Sequence, residues 1–199
     1  RFLAISAAAA TAAPARAAPL TQWRGIALGA RATIALAHPE ADRIIAAARA
    51  EIARLEGIFS LYRGDSALSR LNAHGALVAP PPELVECLSL AGAVNRATGG
   101  AFDPTVQPLR AAHAEAGAAG LPLDDRARRA ALALTGWRGV TLAPARIALA
   151  RPGMALTLNG IAQGYIADRV AALLAHEGLT DILIDTGEIR ALGGQPGGG

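Results

Sequence analysis

The sequence has a single cysteine, few aromatic residues and no block of basic residues. Cys87 has no second cysteine to pair with, so the chain forms no internal disulfide. Aromatic residues make up 4% of the chain and hydrophobic residues 52%, so packing depends on aliphatic side chains and alanine. The net charge of +3 is spread along the chain without zinc-finger spacing or aromatic-basic interleaving, which argues against nucleic acid as a partner.

Metal-binding and membrane-spanning patterns are also missing from the sequence. His38, His74, His113 and His176 share no ligand spacing with one another or with Cys87. Cys87 falls on the apolar face of an expected helix, and we predict a buried, unreactive thiol there. The N-terminal apolar run is too short and too rich in alanine for a bilayer span, so we expect no transmembrane segment.

The first 18 residues have the features of an export signal. An apolar, alanine-rich middle is followed by small residues at Ala13–Ala18. Arg1-Phe2-Leu3 resembles the end of a twin-arginine signal whose paired arginines would lie upstream. We therefore expect residues 1–18 to be the remnant of a Tat-type signal, and the domain over residues 19–199 to be periplasmic.

Hydrophobic spacing predicts an α+β fold, with a mostly antiparallel sheet and packed helices. A strand over 25–36 and a long helix from Pro39 to Phe59 are expected first. Residues 111–123, rich in alanine, glycine and proline, predict an irregular surface segment. Further helices are expected near 66–72, 82–98, 124–136 and 160–177, and further strands near 139–142, 146–149, 155–158 and 182–185.

Three short segments carry small or polar residues where the chain enters or leaves an apolar element. They are Ser60–Ser66 with Asn72 behind it, Gly100–Thr105, and Asn159–Tyr165. Loops held by a rigid scaffold are where ligand contacts concentrate in proteins. The three segments together predict one site of about the size of a nucleotide.

In this order and at this spacing, the segments resemble the ApbE-type FAD:protein FMN transferases, over about Gly25 to Gly194. That family carries Ser-x-Tyr-Arg-x-Asp-Ser ending in Leu-Asn, then Gly-Ala-Phe-Asp-Pro-Thr, then Gly-Ile-Ala-Lys-Gly-Tyr. The resemblance is closest to the NosX branch, an accessory group in nitrous oxide reduction that has Gln in place of the Lys. Thr157–Tyr165 has that form here, and Ile184–Arg190 is also similar to that branch.

The resemblance implies that FAD is the substrate and Mg²⁺ the cofactor. The Gly160 carbonyl is implied as a magnesium ligand, and the family's Asp/Thr ligand pair would lie beyond Gly199, as in a chain truncated at its C-terminus. Whether such a chain is active is left open. The implied FAD contacts are Leu28, Tyr62, Ala101, Phe102, Asp103, Thr157 and Gln163.

Without the resemblance, each segment has a simpler interpretation. Tyr62 could be a half-buried aromatic residue with its hydroxyl in water. Asp103 could be a turn residue before Pro104, and Gly160 an ordinary helix start. Arg63, Asp65, Ser66 and Asn72 are expected to hold their own loop together.

The implied reaction is attack by a Thr or Ser hydroxyl of a partner flavoprotein on the FMN-side phosphorus of FAD, which releases AMP. The NosX likeness implies an acceptor of NosR type. Thr157 and Gln163 replace the family's Asp and Lys, so we hypothesise that they hold FAD by neutral hydrogen bonds. Two alternatives stay open: an FAD-binding maturation factor without covalent chemistry, and an FAD pyrophosphatase that uses water as nucleophile.

Overall fold

The computed structural model describes residues 2–8, 19–27, 29–179, 181–185 and 189–192, and the chain divides into two compact units. The first unit comprises Arg1–Glu56 and Gln163–Gly199, and the second comprises Gly57–Ala162. The helices are α1 (Ala41–Phe59), α2 (Ala67–His74), α3 (Pro82–Ala97), α4 (Gln107–Ala118), α5 (Asp125–Leu132) and α6 (Ala162–His176). The strands are β1 (Phe2–Ala8), β2 (Leu20–Ala27), β3 (Ala30–Ala37), β4 (Ala76–Val78), β5 (Val140–Ala143), β6 (Arg146–Leu149), β7 (Asp181–Asp185) and β8 (Ile189–Leu192).

The first unit contains a five-stranded sheet in the order β2-β3-β1-β7-β8. β1 runs parallel to β3, and its other neighbour, β7, is antiparallel to it. In α1, the buried side chains Ile44, Ala48 and Leu55 recur at helical spacing and form one apolar stripe. Burial of this stripe away from water is the main stabilising contribution of such a helix.

The second unit contains a three-stranded antiparallel sheet in the order β4-β6-β5. Ile147 in its central strand is fully buried. Helices α2 and α3 add the buried side chains of Leu71, Leu84 and Leu88. This aliphatic core supports the loops of the first two sequence segments and the start of the third, as far as Ala162.

The α+β prediction is confirmed, because every neighbouring strand pair except β1 with β3 is antiparallel. The prediction of one strand over 25–36 is wrong. That stretch contains parts of two antiparallel strands, β2 and β3, in which Ala27 pairs with Ala30. Gly29, with a φ of 75°, supplies the left-handed turn between them, a conformation that glycine adopts without a steric penalty.

Two further predictions of local structure are corrected. Residues 111–123 were expected to be irregular, but α4 continues to Ala118, because alanine favours helix and Pro108 sits in the first turn, where proline is tolerated. Residues 155–158 form no strand. The Leu156 and Thr157 amides bond to the Asn72 side chain and to the Pro104 carbonyl instead of to a neighbouring strand. In the sheet of the second unit, β4 is the third strand beside β5 and β6.

Phe2–Ala8 forms strand β1, which the sequence interpretation of residues 1–18 did not anticipate. It lies between β3 and β7 in the sheet. Residues 9–18 lie outside the described residues, and the export signal stays a prediction. Among the described helices, none combines the length and the apolar character needed to cross a bilayer.

Candidate functional site

The loop of the first segment is closed by hydrogen bonds to Ser60. The Ser60 carbonyl accepts from the hydroxyls of Ser66 at 2.5 Å and Ser69 at 3.0 Å. The Ser60 hydroxyl accepts from the backbone N–H of Tyr62 at 3.1 Å. The backbone is thus fixed on both sides of Tyr62, whose side chain is 67% exposed. An aromatic face held outward on a rigid loop can stack against a flat ligand ring.

An ion pair spans the exposed tip of the same loop. Arg63 Nη2 lies 3.0 Å from Asp65 Oδ2, and a second bond joins Arg63 Nε to Asp65 Oδ1. Hydrogen bonding to Arg63 lowers the pKa of Asp65. These contacts agree with the expected structural role of Arg63 and Asp65, which hold their own loop.

Ser66 is both the N-cap of α2 and a buried member of this loop. Its hydroxyl accepts from the Ser69 amide at 3.0 Å while it donates to the Ser60 carbonyl. We expect Ser66→Ala to lower the free energy of unfolding by about 2 kcal/mol, since a cap and a buried hydrogen bond are lost together. The exposed N-cap variant Asp124→Ala should cost about 1 kcal/mol in the same chemical denaturation experiment. Equal losses would show that the loop bond contributes nothing.

Asn72 joins the first segment to the chain ahead of the third. Its side-chain Nδ2 donates to the Leu156 carbonyl at 2.9 Å, and its Oδ1 accepts from the Leu156 amide at 2.7 Å. We expected Asn72 to hold its own loop, and the structure corrects this expectation. The amide instead pairs with a backbone segment 84 residues away, as a strand neighbour would.

The second segment is held at the C-terminal end of α3. The Phe102 amide donates to the Thr98 hydroxyl at 3.1 Å, and its carbonyl accepts from Asn95 Nδ2 at 2.7 Å. Gly99 and Gly100 have φ values of 59° and 89°, which turn the chain sharply away from the helix. Both backbone polar groups of Phe102 are therefore anchored. Asn95 and Thr98 are functional supports that the sequence reasoning missed, although polar residues in a last helical turn before Gly-Gly are a usable signal.

Asp103 caps the short 3-10 turn Pro104–Val106. Its Oδ1 accepts from the amide of Thr105 at 2.8 Å and from the Thr105 hydroxyl at 2.6 Å. The buried Thr105 hydroxyl in turn accepts from the Gly136 amide at 2.6 Å. Asp103 thus has the turn role that its position before Pro104 indicated. Its Oδ2 accepts no hydrogen bond within the described part of the chain and can accept one from a ligand.

The third segment lies against the second. The Thr157 amide donates to the Pro104 carbonyl at 2.8 Å. A Cβ atom added at Gly160 would lie 3.3 Å from Cε2 of Phe102, so the bare glycine lets the ring approach the backbone. Ala101 connects this contact to the Gly99–Gly100 turn and is exposed. The second unit therefore brings Phe102, Thr157 and Gly160 together.

We expected a helix to begin at Gly160, but it does not. Gly160 lies in a turn, and α6 begins two residues later at Ala162. The amides of Ile161 and Ala162 both bond to the Leu158 carbonyl, so these two donors are already used. These two amides are therefore not free to bind a phosphate. Its carbonyl accepts no hydrogen bond within the described residues and stays available as a metal ligand.

Three further FAD contacts were implied by the resemblance: Gln163, Leu28 and Thr157. Gln163 is half-buried in the first turn of α6 and belongs to the first unit. Leu28 lies outside the described residues. The Thr157 hydroxyl is buried and accepts from the Asn159 amide at 3.3 Å, so it supports the turn that leads to Gly160.

Cys87 is buried in α3, in line with the expectation of an unreactive thiol. Burial, with a smaller contribution from Glu86, raises the pKa of its thiol to about 12. Since the thiolate is the reactive form, the folded protein should not react with a thiol reagent such as DTNB near neutral pH. Full labelling is expected in denaturant, which is the positive control. Labelling of the folded protein at the denatured rate would contradict the burial.

A cleft of about 780 Å³ adjoins the second segment. It is lined by residues near the end of α3, by the turn before β5, and by Arg151, and Gly99, Gly100 and Asp103 also line it. Among the described residues, no group of three or more His, Cys, Asp and Glu side chains could hold a metal ion.

Solved structures share this fold. The flavinyl transferase ApbE of Pseudomonas stutzeri, in its apo form, matches with a TM-score of 0.78 and 25% identity, over 91% of this chain and 60% of that one. The flavin transferase ApbE of Vibrio cholerae matches with a TM-score of 0.77 and 25% identity, over 88% of this chain and 60% of that one. The fold is therefore that of the ApbE flavin transferases.

The sequence comparisons assign the family directly. A sequence model described as the ApbE family matches residues 28–199, so the chain belongs to the ApbE family. A curated relative named FAD:protein FMN transferase, from Treponema pallidum (strain Nichols), is 35% identical over 149 residues. That match covers 69% of this chain and 41% of the relative, so the chain spans less than half of the relative's length.

Proposed function

We propose that this protein binds FAD and transfers its FMN portion to a Thr or Ser hydroxyl of an acceptor flavoprotein. The observation that carries the proposal is that, within the second unit, the first two segments are joined to the chain at the start of the third. Asn72 bonds to Leu156, Thr157 bonds to Pro104, and Phe102 lies against Gly160. Family membership, and the name of the Treponema pallidum relative, support the same activity.

The chain's residues have distinct proposed roles toward FAD. Tyr62 offers an exposed ring face to a flat ring of the dinucleotide. Ala101, Phe102 and Asp103 present an anchored backbone and the Asp103 Oδ2 acceptor. Because Gly160 has no side chain, its backbone is also accessible. Leu28, Thr157 and Gln163 complete the proposed set of contacts.

The proposed chemistry is a phosphoryl transfer that balances without a further reactant. The acceptor oxygen forms a bond to the FMN-side phosphorus, and the bond from that phosphorus to the bridging oxygen breaks. AMP leaves with the bridging oxygen, and the hydroxyl proton passes to water. Such transfers are accelerated mainly by positioning and by charge stabilisation, and the anchored loops supply positioning.

Magnesium dependence is part of the proposal. The Gly160 carbonyl is an oxygen donor of the kind that Mg²⁺ prefers, and it has no competing hydrogen bond within the described residues. The described residues do not supply a complete ligand set. When bound, the ion would neutralise charge on the phosphoryl oxygens.

The test is incubation of the full-length protein with FAD, MgCl₂ and an acceptor segment that contains threonine. We expect AMP in the supernatant and a mass gain of one FMN on the segment, and neither product with the Thr→Ala segment. AMP with free FMN in place of the adduct would establish the pyrophosphatase alternative. Absence of both products in the presence of saturable FAD binding would overturn the transfer proposal.

An FAD-binding maturation factor without covalent chemistry is the second candidate. The observation that favours it is the state of Thr157, which replaces an Asp of the family. Its hydroxyl is buried and engaged with the Asn159 amide, as in a structural residue. The variants Thr157→Asp and Gln163→Lys, alone and combined, should raise AMP release if the lost charges limit the transfer. Unchanged turnover in the double variant would contradict that explanation.

The proposal extends to the acceptor and to the compartment. The form of Thr157–Tyr165 supports an acceptor of NosR type, and the composition of residues 1–18 supports Tat export to the periplasm. If that segment is removed, strand β1 is removed with it. Mass spectrometry of protein recovered from the periplasm should find an N-terminus near residue 19. Recovery of a chain that still contains Phe2–Ala8 would contradict the cleavage.

A further inference from the structure

The cleft beside the second segment is lined by three arginines from separate parts of the second unit. Arg96 lies in the last turn of α3, Arg138 in the 3-10 turn Trp137–Gly139, and Arg151 after β6. We call this feature the arginine cleft. Its full lining is Asn95, Arg96, Gly99, Gly100, Asp103, Thr135, Gly136, Trp137, Arg138, Gly139 and Arg151.

The guanidinium groups of the arginine cleft are available to a ligand. All three arginines are exposed. Arg151 Nη2 donates to the Thr135 carbonyl at 2.9 Å, which fixes its position without neutralising it. For Arg96 and Arg138, no carboxylate within the described part of the chain lies in ion-pair range. The sequence has no lysine, so its cationic contacts other than histidine are arginines, which bind carboxylates with two parallel hydrogen bonds.

The walls of the cleft are closely packed, which favours a preformed site. A Cβ atom at Gly92 would lie 2.7 Å from the Trp137 ring, and one at Gly139 would lie 2.7 Å from Met154 Cε. The one carboxylate in the lining is Asp103, whose Oδ1 is already engaged by Thr105. The side chains that line the cleft therefore carry a net positive charge.

The arginine cleft also shares residues with the proposed flavin site. Gly99, Gly100 and Asp103 line the cleft, while Phe102, between them in sequence, lies against Gly160. A ligand in the cleft would thus lie beside the loop that we assign to FAD. An acceptor segment bound there would lie next to the proposed flavin site.

We propose that the arginine cleft binds an acidic segment of the acceptor protein, next to the Thr or Ser that receives FMN. The inference rests on the proposed function, since it identifies the partner of that reaction. The volume of about 780 Å³ is within the range of peptide-sized and ligand-sized pockets and is large for a single phosphate. Arginine and tryptophan, both present here, are the side chains that most often dominate protein interfaces.

The test uses two fluorescein-labelled peptides of equal length around one threonine, with Asp and Glu flanks in one and Asn and Gln flanks in the other. Binding is measured by fluorescence anisotropy on the full-length protein. We expect the acidic peptide to bind about tenfold more tightly. Arg96→Gln combined with Arg138→Gln should remove that preference. Arg146→Gln, an exposed arginine of β6 outside the cleft, is the control and should preserve the preference.

Three outcomes would overturn the docking proposal: equal binding of both peptides, a loss in Arg146→Gln equal to that in the cleft variant, or binding of pyrophosphate alone. The last would define the cleft as a small-anion site. FAD affinity and AMP release are measured on the same variants. AMP release without any effect of peptide charge would refute docking and leave the transfer function standing. Charge-dependent docking without AMP release would support docking and refute the transfer function.

Discussion

Replacing Asn72 by leucine is expected to destabilise the second unit and to weaken FAD binding together. Leucine has a similar size but cannot bond to the backbone of Leu156, which is fully buried. The Leu156 amide and carbonyl would each lose the partner that Asn72 now supplies at 2.7 and 2.9 Å. Leaving buried polar groups without partners costs roughly 2–4 kcal/mol in total. For a chain of this size the melting midpoint should fall by about 5–15 °C.

Two comparisons make this prediction specific. Ser89→Ala deletes a side-chain hydrogen bond at an exposed position of α3, where water can replace it, and should cost less than about 0.5 kcal/mol. Asn72→Asp keeps the acceptor for the Leu156 amide but sets a carboxylate oxygen against the Leu156 carbonyl, so it should also destabilise. Calorimetry measures stability, and quenching of FAD fluorescence measures affinity. A melting midpoint for Asn72→Leu equal to that of Ser89→Ala would refute the role of the bridge.

The behaviour of Asn72 illustrates which part of the site could be predicted from sequence. The helices that begin after Ser66 and Asp124 could be predicted locally, because the partners of an N-cap lie within three residues. The partner of Asn72 lies 84 residues away, and spacing carries no information about such a contact. The motif therefore indicated a role for Asn72 but could not identify the Leu156 backbone as its partner.

The difference between local and distant contacts also explains the errors in the fold prediction. Residues 155–158 have the composition of a strand, but no strand among the described residues pairs with them. The backbone bonds of Leu156 and Thr157 are made by Asn72 and Pro104. Sheet membership depends on distant partners, so a strand was wrongly predicted at 155–158 and strand β4 was not predicted. Helices depend on local spacing, and α1 and α3 were predicted correctly for that reason.

The arginine cleft was beyond the reach of sequence reasoning. Arg96, Arg138 and Arg151 are spread over 56 positions and form no basic block, so their charges looked dispersed. The end of α3, the 3-10 turn Trp137–Gly139 and the chain after β6 bring them into the lining of one cleft. The net charge of +3 is indeed spread along the sequence, but composition does not show which charges lie together on the folded surface.

Replacing Gly160 by valine is expected to weaken FAD binding roughly tenfold or more, and the overpacking should cost about 1–3 kcal/mol of stability. A Cβ atom at this position already lies 3.3 Å from Phe102 Cε2, and the two methyl groups of valine would press further on the ring. Phe102 cannot retreat as a unit, because Asn95 and Thr98 hold its backbone. Either the ring rotates or the turn before α6 shifts, and both movements disturb the surface assigned to the dinucleotide.

Gly164 offers a matched control four residues further on. A Cβ atom there would meet no atom within 4 Å, and the residue is exposed in the first turn of α6. Gly164→Val should therefore bind FAD with nearly unchanged affinity, since valine tolerates a helix at least as well as glycine does. Gly160→Ala, which demands a shift of only a few tenths of an ångström, should fall between the two. If both valine variants lost affinity equally, helix α6 itself would be the sensitive element, and the Phe102 contact would not be the cause.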